Sequence, residues 1–209
     1  MAEINSDDPT LPVHHEQDSG EEEVNSAHDD SQAAHHNYFW PSLELLSNCE
    51  RYFQICVPLR KAALKGNLKE FYNILRVHEE ILDMSSLLRM AITKGYATIL
   101  HVAAGARQTT FVEEIINSIQ PSDESTLLLQ DINGNTSFCF AAAAGEVEIA
   151  KIMLNKNPNL NQAILRDQAN AANRKMTQTP LYKDVMFGRK EMASFLYDAT
   201  ANANFFETK

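Results

Sequence analysis

With 209 residues, 44% of them hydrophobic and 22% charged, the chain has room for one ordinary domain and a tail. Its net charge of −10 is uneven: residues 1–50 hold twelve Asp or Glu and no Lys or Arg, while the rest holds 18 basic and 16 acidic residues. No basic stripe suits nucleic acid, and the longest pure apolar run, Phe138 to Ala144, is far short of the roughly 20 residues of a membrane helix.

Residues 1–37 read as a disordered acidic tail, poor in large apolar residues and carrying runs such as Glu21-Glu22-Glu23. His14-His15, His28 and His35-His36 can hold a divalent metal loosely, but no partner spacing fixes a geometry, so no metal site is assigned. Ser6, Ser19, Ser26 and Ser31 stand in acidic context and are candidate phosphorylation sites. Residues 38–56 read as a short capping helix or linker, opened by Tyr38-Phe39-Trp40-Pro41 with Ser42 as the cap. The alternative for that stretch is an aromatic docking peptide. Cys49, Cys56 and Cys139 have no framework spacing, and the N-terminus has no signal-peptide pattern, which favours a reducing, cytoplasmic setting.

From residue 57 a two-part pattern recurs: a turn, a short helix with paired alanines, a glycine slot and an amphipathic second helix. Pro58, Leu59, Ala62, Ala63 and Gly66 mark the first copy, and Thr98, Leu100, His101, Ala103 and Ala104 the second. The third has Gly134, Thr136, Ala141, Ala142 and Gly145; the fourth has Thr179, Pro180, Leu181 and Gly188. The aligned residues Leu59, Leu100, Phe138 and Leu181 are 41, 38 and 43 apart. Thr98, Thr136 and Thr179 suit N-caps, and Gly66 and Gly145 suit a left-handed helix stop. Arg107 stands in that glycine slot in the second copy, and Gly95 lies one residue further from Thr98 than Gly134 from Thr136. Second-helix faces follow as Leu68/Phe71/Ile74/Leu75, Phe111/Val112/Ile115/Ile116, Ile149/Ala150/Met153/Leu154 and Met192/Ala193/Phe195/Leu196. The segment from Arg76 to Ala91 reads as a helix exit and an extended loop packed on the stack.

Thr179-Pro180-Leu181 and Leu100-His101-Val102-Ala103-Ala104 resemble the Thr-Pro-Leu-His-x-Ala-Ala signature of ankyrin repeats. The resemblance covers about residues 57–200, in units near 57–92, 93–130, 131–172 and 173–200, with 201–209 as a C-terminal end. It implies an all-α solenoid of helix pairs with hairpin-like loops. The spacing, against about 33 residues for the usual repeat, implies extended loops. Asp184 falls where the first packed alanine belongs, which marks the fourth unit as an atypical end. The wording of copies one and two also resembles plant ankyrin proteins with a C-terminal Pro-Gly-Gly membrane domain. That likeness implies a role in stress or defence signalling.

The family implies non-catalytic binding of protein partners on the loop tips and the outward side of the first helices. Tyr96, Ala97, Ile132, Asn133 and Asn135 are the candidate contacts. His101 is read as a structural residue that bonds the hairpin backbone, and Cys139 as its small substitute. No nucleophile, carboxylate pair or phosphate loop is spaced for catalysis, so no enzyme and no cofactor are expected. The alternatives are the soluble N-terminal region of a membrane protein, on its cytosolic face if the product continues beyond Lys209, and, from another class, a His-rich metal binder or helical enzyme.

Overall fold

A computed structural model describes residues 40–158, 160 and 189–204, with side chains up to 199. Thr179, Pro180, Leu181, Asp184 and Gly188 lie outside the described residues, as do 1–39 and the tail histidines and serines among them. The helices are α1 Glu44–Ser47, α2 Cys49–Arg51, α3 Val57–Lys65, α4 Leu68–Val77, α5 Met84–Leu88, α6 Ile99–Gly105, α7 Thr109–Ser118, α8 Ser137–Ala144, α9 Val147–Lys156 and α10 Lys190–Asn204. Among the described residues there are isolated bridges but no extended strand.

The helices form two rows. First helices α3, α6 and α8 pack side by side, each against its own second helix, α4, α7 or α9. The alanines explain the first row. Ala62, Ala63, Ala103, Ala104, Ala141 and Ala142 are all buried, and their small side chains let neighbouring backbones approach. Large side chains fill the second row: Phe71, Phe111, Val112, Ile115, Ile116, Ile149 and Met153 are buried. The Phe71 and Phe111 rings meet edge to face, 5.3 Å between centroids. Neither row covers its apolar face alone, so stability comes from stacking.

Local chemistry sets the helix ends. Thr136 caps α8, its hydroxyl accepting from the Cys139 N–H at 3.4 Å. Gly66 and Gly145 take φ of +64° and +76° and close α3 and α8. Arg107 occupies the same slot with φ +64° and no glycine.

The residue after that slot reaches back to the preceding repeat. Gln108 Nε2 donates to the Leu64 carbonyl at 3.1 Å, and Arg189 Nη1 donates to the Ala142 carbonyl at 3.1 Å. Glu146 instead pairs with the Arg107 side chain. The Leu64 carbonyl near the end of α3 is thus satisfied across the repeat boundary, and the Ala142 carbonyl, which also accepts from the Gly145 N–H, gains a second donor there.

Two features differ from the sequence reading. No separate helix starts at Val57: α2 runs into a π-helical turn, Tyr52–Cys56, and on into α3. Pro58 has no N–H to donate to the fourth carbonyl back, and its ring crowds that carbonyl. The upstream turn widens the register, with the Val57 N–H donating to the Tyr52 carbonyl. The extended loops also carry structure. After α4 the chain forms α5, and after α7 a 3-10 segment, Pro121–Leu128. The two are tied together: Ser85 Oγ donates to Asp123 Oδ2 at 2.9 Å, and Arg89 Nη2 lies 3.0 Å from Asp123 Oδ1. The Arg89 and Ser85 hydrogen bonds hold the Asp123 carboxyl below its ordinary range.

The segment before repeat one lies on the stack. The Ser42 N–H donates to the Arg89 carbonyl, and the Ala91 N–H to the Ser42 carbonyl, both at 2.8 Å. Leu45 from α1 is 2% exposed and belongs to the core. Burial of a leucine contributes about 2 kcal/mol, which suits a cap over the first helix pair.

Candidate functional site

The two loop tips are built on one plan, counted back from the capping threonines. Five residues before Thr98, Thr93 Oγ1 accepts from the Ala97 N–H at 3.0 Å. Five residues before Thr136, Asp131 Oδ1 accepts from the Asn135 N–H at 2.8 Å and from the Asn133 N–H at 2.9 Å. Two residues before each threonine the backbone turns left-handed, at Tyr96 with φ +63° and at Gly134 with φ +80°. The positive φ in the first tip therefore falls on Tyr96 and not on Gly95. A hydrogen bond joins the tips, the Ile132 N–H donating to the Gly95 carbonyl at 2.9 Å.

His101 fastens this ridge from below. Its Nδ1 accepts from the Thr98 N–H at 3.2 Å and lies 2.8 Å from Thr98 Oγ1. Its Nε2 is 3.0 Å from the Asn135 carbonyl of the next tip. With Nδ1 accepting, the proton sits on Nε2 and is donated to that carbonyl. Burial pushes the imidazole down from 6.5 to about 4, against the opposing pull of the Asn135 carbonyl and the Asp131 charge, so it is neutral near pH 7. A buried, neutral ring with both nitrogens engaged is a structural member. In repeat three Cys139 takes the same slot, its Sγ 3.5 Å from Thr136 Oγ1. Burial also raises the Cys56 thiol to about 11, which leaves it a poor nucleophile. Among the described residues no group of three or more His, Cys, Asp or Glu is placed to hold a metal.

The candidate contact residues divide by exposure. Ile132 is 53% exposed, and Asn133 beside it is exposed. Tyr96 and Ala97 are half-buried. The Tyr96 ring meets Trp40 edge to face at 6.0 Å, and Trp40 is 43% exposed. Asn135 is already used, its Nδ2 donating to the Asp131 carboxylate at 3.2 Å. Beside the tips runs the side of the first helices that turns away from the second row. There Leu64 and Gly105 are exposed, and Val102, Phe140 and Ala143 are half-exposed. Phe140 lies over Gly105, where an added Cβ would sit 3.1 Å from Phe140 Cδ1.

Several residues escaped the sequence reading. Thr93 and Asp131 build the tips, Trp40 backs Tyr96, and Phe140 roofs the gap at Gly105. The first two share a register with the capping threonines, which counting back from Thr98 and Thr136 would have found. Trp40 and Phe140 meet their partners across long loops, which spacing does not encode.

A two-row stack of helix pairs, its tips tied by a buried threonine–histidine cap, defines a helical repeat protein. The family model described as "Ankyrin repeats (3 copies)" matches residues 100–207, and the chain belongs to the ankyrin-repeat family. No curated protein matches it in sequence. Among solved structures, a chain of the crystal structure of the yeast ribosomal protein Rps3 in complex with its chaperone Yar1 is similar in fold. It has 15% identity and a TM-score of 0.52, and the match covers 72% of this chain and 93% of that one. Stacks of ankyrin repeats are protein–protein interaction scaffolds. No described helix is long and apolar enough to cross a membrane.

Proposed function

We propose that the chain is a non-catalytic recognition scaffold whose protein partner docks on the two tips and the adjoining face of the first helices. One observation carries this reading: Ile132 is exposed at the summit of a tip whose backbone is held by Asp131 and by Gly95. An apolar side chain on an already ordered backbone loses little entropy on binding, which is how a small contact becomes an energetic anchor. Asn133, Tyr96, Ala97 and the Trp40 ring surround that anchor, and Asn135 acts through its backbone. The repeats would divide near 57–92, 93–130, 131–172 and 173–200, with residues 38–56 as the cap. The likeness in wording to plant ankyrin proteins supports a setting in stress or defence signalling.

The test is affinity capture from the native cells with the wild-type chain and with Ile132→Asp. The expected result is loss of the partner from the variant while its far-UV circular dichroism and thermal midpoint stay at wild-type values. Unchanged capture by Ile132→Asp and by Asn133→Arg would refute the assignment of the tips.

A further inference from the structure

In the three helix pairs from α3 to α9, carboxylates occur on the second helices and not on the first. The first helices read VPLRKAALK, ILHVAAG and SFCFAAAA, without one Asp or Glu. The second helices carry both signs, Glu70, Glu113, Glu114 and Glu148 beside Lys69, Arg76, Lys151 and Lys156. On α3, Arg60, Lys61 and Leu64 fall opposite the buried Leu59, Ala62 and Ala63. Lys65 at the end of α3 and Lys94 in the tip before α6 are exposed too.

Carboxylates in the adjoining turns and in the segment before α3 have partners. Asp131 is buried and accepts from the Asn133 and Asn135 N–H groups, and Glu146 pairs with Arg107. Before α3, Glu44 lies 3.5 Å from Arg51, and Glu50 Oε1 accepts from Gln54 Nε2 at 3.0 Å. The charged side chains on the first helices are all basic and lie on α3, beside an apolar floor of Leu64, Val102, Phe140 and Ala143.

We infer that the partner presents an acidic segment carrying apolar anchors, seated along the first-helix face with its carboxylates toward Arg60, Lys61, Lys65 and Lys94. The inference rests on the recognition reading above and names the chemistry of what is recognised. A one-signed surface steers an oppositely charged segment and rejects a like-charged one. The half-exposed Val102 and Phe140 select among acidic segments, because a purely polar chain would leave them in water unimproved. The floor also speaks against nucleic acid, which would use the cations and leave the aliphatic side chains idle.

Fluorescence anisotropy of the full chain tests this. The probes are a Glu-rich peptide with leucines spaced for one helical face, the same peptide with Lys for Glu, polyglutamate, and a single-stranded oligonucleotide. The Glu–Leu peptide is expected to bind, to weaken as salt is raised, and to exceed both polyglutamate and the Lys–Leu peptide. Arg60→Glu with Lys61→Glu should weaken it about tenfold, and Lys69→Glu on the second-helix row should leave it unchanged. Equal binding of the Lys–Leu peptide, equal effects of the two reversals, or tighter binding of the oligonucleotide would overturn the inference. If a captured natural partner is lost on Ile132→Asp yet ignores both salt and the Arg60/Lys61 reversal, the recognition reading stands and the acidic-partner inference falls.

Discussion

His101 Nε2 stands 3.0 Å from the carbonyl oxygen of Asn135, so one buried imidazole of repeat two holds the tip of repeat three. Its other nitrogen accepts from Thr98 at the start of its own helix. The same side chain therefore caps a helix and clamps a repeat boundary, and it does both only while neutral.

This fixes a pH dependence. Burial lowers the folded-state value to about 4, against an ordinary 6.5. The unfolded chain then binds more protons between those values, so stability falls as pH drops. The contribution is complete above about pH 6.5 and fades down to about pH 4, a loss of about 3 kcal/mol at most. Urea unfolding midpoints of wild type and His101→Gln, taken from pH 7.5 to 4.5, check it. The two curves should converge toward acid, and parallel curves would show that His101 is not the titrating group.

Two glycines separate backbone strain from crowding. Gly134 has φ +80° and open space where a Cβ would go. Gly66 has φ +64°, and a Cβ there would sit 2.3 Å from Gln108 Oε1. Gly134→Ala should cost about 1 kcal/mol of left-handed strain. Gly66→Ala should cost about 2 kcal/mol, because Gln108 must also swing away and release the Leu64 carbonyl. Denaturant midpoints of the two variants give the difference directly, and equal losses would mean that the Gln108 contact contributes nothing.

Much of this arrangement was legible in the sequence, and the misses have physical causes. Gly66, Gly145 and Arg107 fall in one left-handed slot, as alignment of the copies indicated, because a helix stop is a local event. Tyr96 was missed as the left-handed residue since glycine is the default for positive φ, and Gly95 stood next to it. The surroundings of Tyr96 are only partly local: Thr93 holds the backbone around it, but its ring meets Trp40 from far along the chain. Asn135 was read as a partner contact, and its amide also serves Asp131 within the turn. The helical runs at 84–88 and 121–128 were read within loops, because each is stabilised by the other repeat through Ser85, Arg89 and Asp123.

Arg107 offers a test of how the slot is satisfied without glycine. A side chain at φ +64° carries about 1 kcal/mol of strain, and the pair with Glu146 offsets part of it. Arg107→Gly should be close to neutral at low salt, since it relieves strain but loses the pair and loosens the unfolded chain. At about 1 M salt the pair is screened in the wild type, so the variant should gain relative stability of a few tenths of a kcal/mol. Thermal midpoints at the two salt concentrations check this. A variant whose disadvantage grew with salt would show that the Arg107 side chain acts by packing and not by charge.

Asp131 is the last and most demanding case, because one buried carboxylate supports the whole second tip. It accepts from the Asn133 and Asn135 N–H groups and from the Asn135 amide. Asp131→Ala would leave two backbone donors without an acceptor, at a cost of about 2 kcal/mol. Asp131→Asn keeps one carbonyl acceptor and should cost less. The decisive readout is hydrogen exchange at the Asn133 and Asn135 amides. Both should lose protection in Asp131→Ala while the α6 amides keep theirs, because the α6 cap depends on Thr98 and not on Asp131. Retained protection at Asn133 and Asn135 would mean that the tip holds its shape through its backbone bonds and the His101 clamp without the Asp131 side chain. Ile132 presentation would then have to be traced to the first tip.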